Sequence, residues 1–356
     1  MRNFLFSTLF FLCLLGTAQA QSEDRIKEIK KLSASSDSTD WLTGGGMGLD
    51  FGQLLQINPA VGAGENKLGL GGVIGFFANY KVGRKSWDNG LDLLLGIQKL
   101  GTGYYTLNRN IHTPWQKSID QLRVNSKYGY RTAETSKFYY SGLLTFESQL
   151  LSTFSDTSLV EPVKGNYLSD VSGKNQGPIA KFLSPARLTI SPGIDYKYDD
   201  HFSVFISPAS LKMIIVADKD IAAIPARNSD GTSLGVGIHG NLWRSPTDFD
   251  QTLFQLGATL AAQYTNKFMN DKLSFKSGLT LFSNYLKEPQ NIDLDWSTET
   301  AFMIWKGINV TLNTRLFYDH DIPVQITDAN AVGGVNGLGR RVSFTEQLYL
   351  KYNYIF

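Results

Sequence analysis

Apolar and polar residues alternate with period two along about twelve stretches of this chain, and that pattern confines it to β-structure. The stretches are 45–55, 67–81, 86–99, 119–131, 137–150, 182–197, 202–217, 252–265, 271–285, 291–304, 308–319 and 341–356. In 86–99, Trp87, Leu91, Leu93, Leu95 and Ile97 share one parity, opposite Asp88, Asp92 and Gln98. In 119–131, Leu122, Val124, Tyr128 and Tyr130 oppose Gln121, Arg123, Asn125, Lys127 and Arg131. Most of these stretches outrun the usual strand of about five or six residues. From Trp41 onward no helical period competes, and only 202–217 has a blurred alternation.

Alternation suits two opposite designs. A soluble barrel turns its apolar parity inward, and a membrane barrel turns it outward to lipid. Connector length separates them. Links 56–66, 100–118, 151–181, 218–251 and 320–340 are long, while 82–85, 132–136, 198–201, 266–270 and 305–307 are short. Only 286–290 is short where a long link is expected. Short turns at one end and long loops at the other, with an even strand count, are the habit of outer-membrane barrels. Aromatics on the apolar parity, among them Tyr80, Trp87, Tyr128, Tyr140, Tyr196, Phe202 and Tyr264, gather next to the short turns. Tyr and Trp collect at the headgroup level because an apolar ring carries a polar handle. The chain end alternates through Tyr352, Tyr354 and a terminal Phe356, and resembles the C-terminal signal read by the barrel assembly machinery. The sequence therefore predicts an all-β fold: a transmembrane up-and-down antiparallel β-barrel of about 12 strands over 41–356, in the outer membrane, with the lipid bilayer as its partner.

The N-terminus agrees. Arg2, the apolar run Phe4–Leu15 and Ala18-Gln19-Ala20 read as a signal peptide over 1–20, which holds the lone cysteine, Cys13. Residues 21–40 read as a charged, Ser-rich periplasmic linker, with Ile26, Ile29 and Leu32 at a helical spacing. Beyond the leader the longest apolar runs are about five residues, against the ~20 a spanning helix needs. Lys and Arg total 34 against 32 Asp and Glu, too even for nucleic-acid binding as the main task. Two features strain the pattern. Pro185, Pro192 and Pro208 fall inside predicted strands, where bulges or breaks are expected. Glu346 sits on the apolar parity, marking a register shift, the headgroup zone or a partner contact.

The stretches Trp87–Lys99 (WDNGLDLLLGIQK), Asn125–Tyr130 (NSKYGY), Phe202–Pro208 (FSVFISP) and Phe282–Trp296 (FSNYLKEPQNIDLDW), with Trp41–Gly46 and Tyr318–Ile322, resemble Bacteroidota proteins grouped as domain of unknown function 3078. The resemblance runs over roughly 41–356, with 231–250 reading as a local insertion. It implies an outer-membrane barrel-like protein of a diderm bacterium, and it carries over no activity and no catalytic residue.

The polar parity is the more informative for function. It carries Asp92, Arg123, Lys127, Arg131, Glu147, Arg187, Asp293, Asp295, Glu299 and Arg315, which a membrane barrel points into its lumen. Basic residues concentrate on 123–131 and acidic ones on 291–299. Such charges either set a transverse field in a pore or pair and knit a closed interior, helped by inward Tyr139 and Phe282. Asp319-His320-Asp321 is the one candidate for a hydrolytic or metal site, and a polar strand end is the stronger reading. His112 and His239 fall in long loops, and His201 falls in a short turn. The glycine runs Gly44–Gly46 and Gly69–Gly72 lie in strands, with no helix behind them to present N–H groups to a phosphate. No catalytic residue, cofactor or metal is expected. The expected role is a narrow channel or transporter for small polar solutes. The alternatives are a structural or partner subunit of an envelope complex, and an outer-membrane lipid-modifying enzyme using His320.

Overall fold

A computed structural model of the chain describes residues 41–54, 66–101, 114–155, 166–171, 177–199, 201–305, 308–327 and 335–352. The leader 1–20, the linker 21–40, His112, Tyr354 and Phe356 lie outside the described residues.

The strands are β1 (Trp41–Leu54), β2 (Asn66–Val82), β3 (Lys85–Gly101), β4 (Trp115–Arg131), β5 (Phe138–Ser148), β6 (Ala186–Lys197) and β7 (Phe202–Ile215). A single helical turn, α1 (Lys219–Ala222), precedes four short strands: β8 (Pro225–Arg227), β9 (Ser233–Gly237), β10 (Trp243–Ser245) and β11 (Asp248–Phe249). Long strands resume with β12 (Thr252–Phe268), β13 (Leu273–Asn284), β14 (Ile292–Trp305) and β15 (Ile308–Tyr318). The hairpin β16 (Val324–Thr327) and β17 (Val335–Gly339) precedes β18 (Ser343–Tyr352). The twelve long strands form one antiparallel sheet in chain order, β1-β2-β3-β4-β5-β6-β7-β12-β13-β14-β15-β18. The fold is thus all-β with the expected strand count. Among the described residues, β1 and β18 are the sheet's two edges and are not paired with each other.

The sheet curls around its polar face. Lys127 of β4 reaches past β5 to Asp195 of β6 at 2.7 Å. Lys212 of β7 meets Asp293 of β14, three strands on, at 3.1 Å. The charge of Arg315 on β15 acts on Glu147 of β5. Six strand spacings separate β5 from β15, about 29 Å across a flat sheet, so only curvature brings them near. The other face carries the exposed apolar residues, with Leu70, Ile74 and Phe76 of β2, Ile190 and Ile194 of β6, and Phe254, Leu256 and Leu260 of β12 among them. On the inner parity Phe77, Leu94, Tyr139, Phe205 and Phe282 are buried.

Outer-face aromatics line up by register near the short turns. Trp41 pairs with Tyr80, Tyr80 with Trp87, and Trp87 with Tyr128. Trp41 stands 5.4 Å from the Tyr80 ring and 5.6 Å from the Trp87 ring. Phe138 and Tyr196, then Phe202 and Tyr264, continue the row on β5, β6, β7 and β12.

The prolines mark a bulge, with one correction. Pro185 is not in a strand, because β6 begins at Ala186. Between β7 and β12 the pairing runs from Ser207↔Thr259 to Ser210↔Gly257, so β7 holds one extra residue at Pro208-Ala209. Its partner β6 shifts register over the same height, between Ile190 and Ile194 around Pro192. Side chains take up carbonyls that the ladder leaves there: Ser207 Oγ donates to Pro192 O at 2.7 Å and Tyr285 OH to Pro208 O at 3.1 Å. The extra residue also flips parity, so Ser203, Phe205 and Ser207 face inward below it and Ser210, Lys212 and Ile214 above it. Glu346 pairs with Thr314 in an unbroken ladder from Ile308↔Tyr352 to Phe317↔Ser343, so it marks no register shift.

Candidate functional site

The inner-face charges are matched by their neighbours rather than sorted into two opposed fields. Glu299 accepts from Lys276 Nζ at 2.9 Å, and Asp295 takes a two-pronged contact from Arg315 at 2.9 and 2.6 Å. Arg123 lies 3.5 Å and Arg187 3.7 Å from the Glu147 carboxylate. Asp92 is buried and stands opposite Arg123 in register. Near the short turns, Arg131 donates to the Tyr139 hydroxyl at 2.6 Å and lies over its ring, which also faces Lys197 at 4.7 Å. On this face opposite charges lie beside one another on neighbouring strands. Several pairs still touch water: the side chains of Arg315 and Asp295 are 43% and 38% exposed, and Thr280 and Ser297 on the same face are exposed too.

At the end with long connectors the inner face is knotted by Asp293 together with groups that parity did not single out. Lys212 Nζ donates to Asp319 Oδ2 at 2.6 Å and to Asp293 Oδ2 at 3.1 Å, with the Phe282 ring 5.2 Å away. Asp321 Oδ2 accepts from buried Gln255 at 2.6 Å and its Oδ1 from Lys287 at 3.0 Å. Asp319 Oδ1 also accepts from the amides of Asp321 and Ile322. His320 spans Tyr318 OH at 3.2 Å and Glu288 Oε2 at 3.3 Å. Both carboxylates of Asp319-His320-Asp321 are therefore tied to lysines and backbone that bind this connector to the sheet. Among the described residues no group of three or more His, Cys, Asp or Glu is placed to hold a metal ion. Lys212 escaped the pattern because the bulge at Pro208-Ala209 reverses parity; one inserted residue there moves it to the inner face.

The connectors above this knot fold into a cap. Val216, Ile221, Ala222, Ala226, Val236, Ile238 and Leu338 form one buried apolar cluster, with Ile179, Ile224, Leu234 and Phe249 packed against it. Three separate connectors contribute to it. Asp218 caps α1, accepting from the amides of Asp220 and Ile221 at 2.8 and 3.0 Å, and also pairs with Lys181. Lys181 holds the Asp218 carboxyl below its usual range. Asn241, fully buried, donates to Ala222 O and Asp250 O at 3.0 Å each. Arg340 donates to His320 O at 2.9 Å and so ties the last long connector to the knot.

His239 in the cap sits with Nε2 2.7 Å from Ile179 O, and burial pushes its pKa down to about 4, with the charges of Arg187 and Lys117 acting the same way. A folded pKa below the unfolded one gives stability that is present above the unfolded value and is lost as pH falls toward 4. The cap is expected to weaken by about 1–2 kcal/mol on going from pH 7 to pH 5. Limited proteolysis within 218–251 should speed up over that range, and His239→Gln should flatten the dependence.

No curated protein matches the chain. Two of the stretches that carried the resemblance, Trp87–Lys99 and Asn125–Tyr130, lie in the sheet's first half; the other four lie outside the matched residues. Residues 56–154, from ahead of β2 to just beyond β5, match the family described as "Protein of unknown function (DUF3078)", the family that the sequence resembles.

Proposed function

We propose that the chain closes into an outer-membrane β-barrel and serves as a narrow channel for small polar solutes, occluded at its long-connector end by the cap. What carries this reading is the inversion of polarity across the sheet. Large apolar side chains stand exposed on the outer face, while charged and hydroxylated ones meet each other inside. A protein in water has the opposite arrangement, because exposed apolar area costs about 25 cal/mol per Å². The outer aromatic rows near the short turns suit the headgroup level. From Trp87 to Ile97 the outer parity of β3 spans ten residue steps, about 33 Å along the strand and about 25 Å once tilted, the height of a lipid-facing band. The water-exposed inner Arg315 and Asp295 give a polar solute somewhere to be.

Ile74, 41% exposed on the outer face, tests the membrane half of this reading. An exposed position in water tolerates Arg within about 0.5 kcal/mol, whereas a position near mid-bilayer loses about 2–4 kcal/mol. Ile74→Arg is expected to lower the unfolding midpoint in lipid vesicles by the larger amount and to reduce the heat-modifiable band of the outer-membrane fraction. Single-channel recording in planar bilayers tests the other half, with small conductance steps expected; silence in both the native chain and cap variants removes the channel. A second reading, a partner subunit of an envelope complex, is favoured by the cap itself, since a folded surface of three connectors suits recognition. Isolation from membranes with a stoichiometric partner supports it.

A further inference from the structure

We infer that Arg187 and its neighbours on the inner wall form a binding site for a small oxyanion, a solute bearing a phosphate or carboxylate group. The inference deepens the channel reading and rests on it. Three guanidinium groups approach one carboxylate. Glu147 sits between Arg123 at 3.5 Å and Arg187 at 3.7 Å, and it also feels Arg315 from across the curled sheet. It accepts from the Gln121 side chain as well. Arg315 already has its fork filled by Asp295. Arg187 differs. Among the described residues its ion-pair partner, Glu147, stands at 3.7 Å, beyond hydrogen-bond distance, and its Nε is buried without a partner.

A guanidinium has five N–H donors in a rigid fork, and leaving a buried donor unmatched costs about 1–3 kcal/mol. Two oxygens of one oxyanion fit such a fork side by side, which is why Arg dominates bidentate recognition of phosphate and carboxylate. The side chain as a whole remains 34% exposed while its Nε is buried, so an oxyanion engages that edge of the fork only once the side chain turns toward it. Ile214, opposite Arg187 in register, supplies no acceptor. Arg187 and Lys117, the latter paired with Asp120 at 3.0 Å, both act on His239 in the cap. The site therefore lies just beneath the closed end, where a solute entering from the open side comes to rest.

Purified full-length protein in detergent, with inorganic phosphate as the probe at constant ionic strength, tests the site apart from the channel. Phosphate is expected to raise the thermal midpoint saturably, Arg187→Gln to weaken the apparent affinity at least tenfold, and Glu147→Gln to tighten it. In bilayers under a salt gradient the native chain is expected to favour anions, and R187Q to lose that preference. No phosphate effect on the native protein, or the same effect in R187Q, overturns the site. Should R187Q fail to fold, unchanged affinity in E147Q overturns it equally. Phosphate binding without any conductance leaves the site standing and removes the channel; conductance without phosphate binding or anion preference does the reverse.

Discussion

Lys212→Met is expected to cost the fold about 3–5 kcal/mol, because it removes the cation from two carboxylates that have little access to water. The lysine side chain is 15% exposed and that of Asp319 is 2%, so solvent cannot replace the lost partner. Asp293 holds the His320 amide and Asp319 holds the amides of Asp321 and Ile322, so repulsion between them loosens the connector after β15 as well. The measurement is the urea midpoint of the protein refolded into vesicles. The triple variant Lys212→Met, Asp293→Asn, Asp319→Asn is expected to recover most of the loss, since the charge imbalance is gone. A single variant as stable as the native chain means that the knot is not what fastens this end.

Ile221→Ala is the second large effect. Ile221 is 1% exposed at the centre of the cap cluster, and truncation of such a residue costs about 2–5 kcal/mol through lost burial and the void left behind. The loss falls on the cap and spares the sheet, because the cluster is built mainly from connector residues. Proteolysis between Asp218 and Asp250 is therefore expected to accelerate by at least tenfold while the heat-modifiable band stays at its native position. If the cap is what occludes the interior, conductance rises in the same variant. Simultaneous loss of the band and of cap protection means that cap and sheet unfold as one unit.

The sheet was legible in the sequence and the cap was not, for a physical reason. Each long strand runs ten residues or more, enough for period-two alternation to repeat several times, and all twelve were readable from it. Inside 218–251, α1 has four residues and β8 to β11 have two to five, too few to display any period. The reading of no helix after Trp41 missed α1 for that reason, although Asp218 two residues before Asp220 is the kind of cap that starts one. The inner charges on β4, β5, β14 and β15 followed from parity. Their partners did not all follow, because Lys212 lay beyond a bulge and Asp319 and Asp321 lay past the end of β15. The unpartnered Nε of Arg187 is invisible to a pattern that records facing alone.

The cap also dictates the order in which this protein can be finished. Every long strand pairs with the long strand before it, so the sheet can grow by adding one neighbour at a time. The cap obeys a different clock. Its cluster takes Ile179 and Val216 from the middle of the chain and Leu338 from just ahead of the last strand, and Arg340 fastens it to His320. The end therefore stays unsealed until the segment carrying Leu338 and Arg340 is in place, after every long strand but the last.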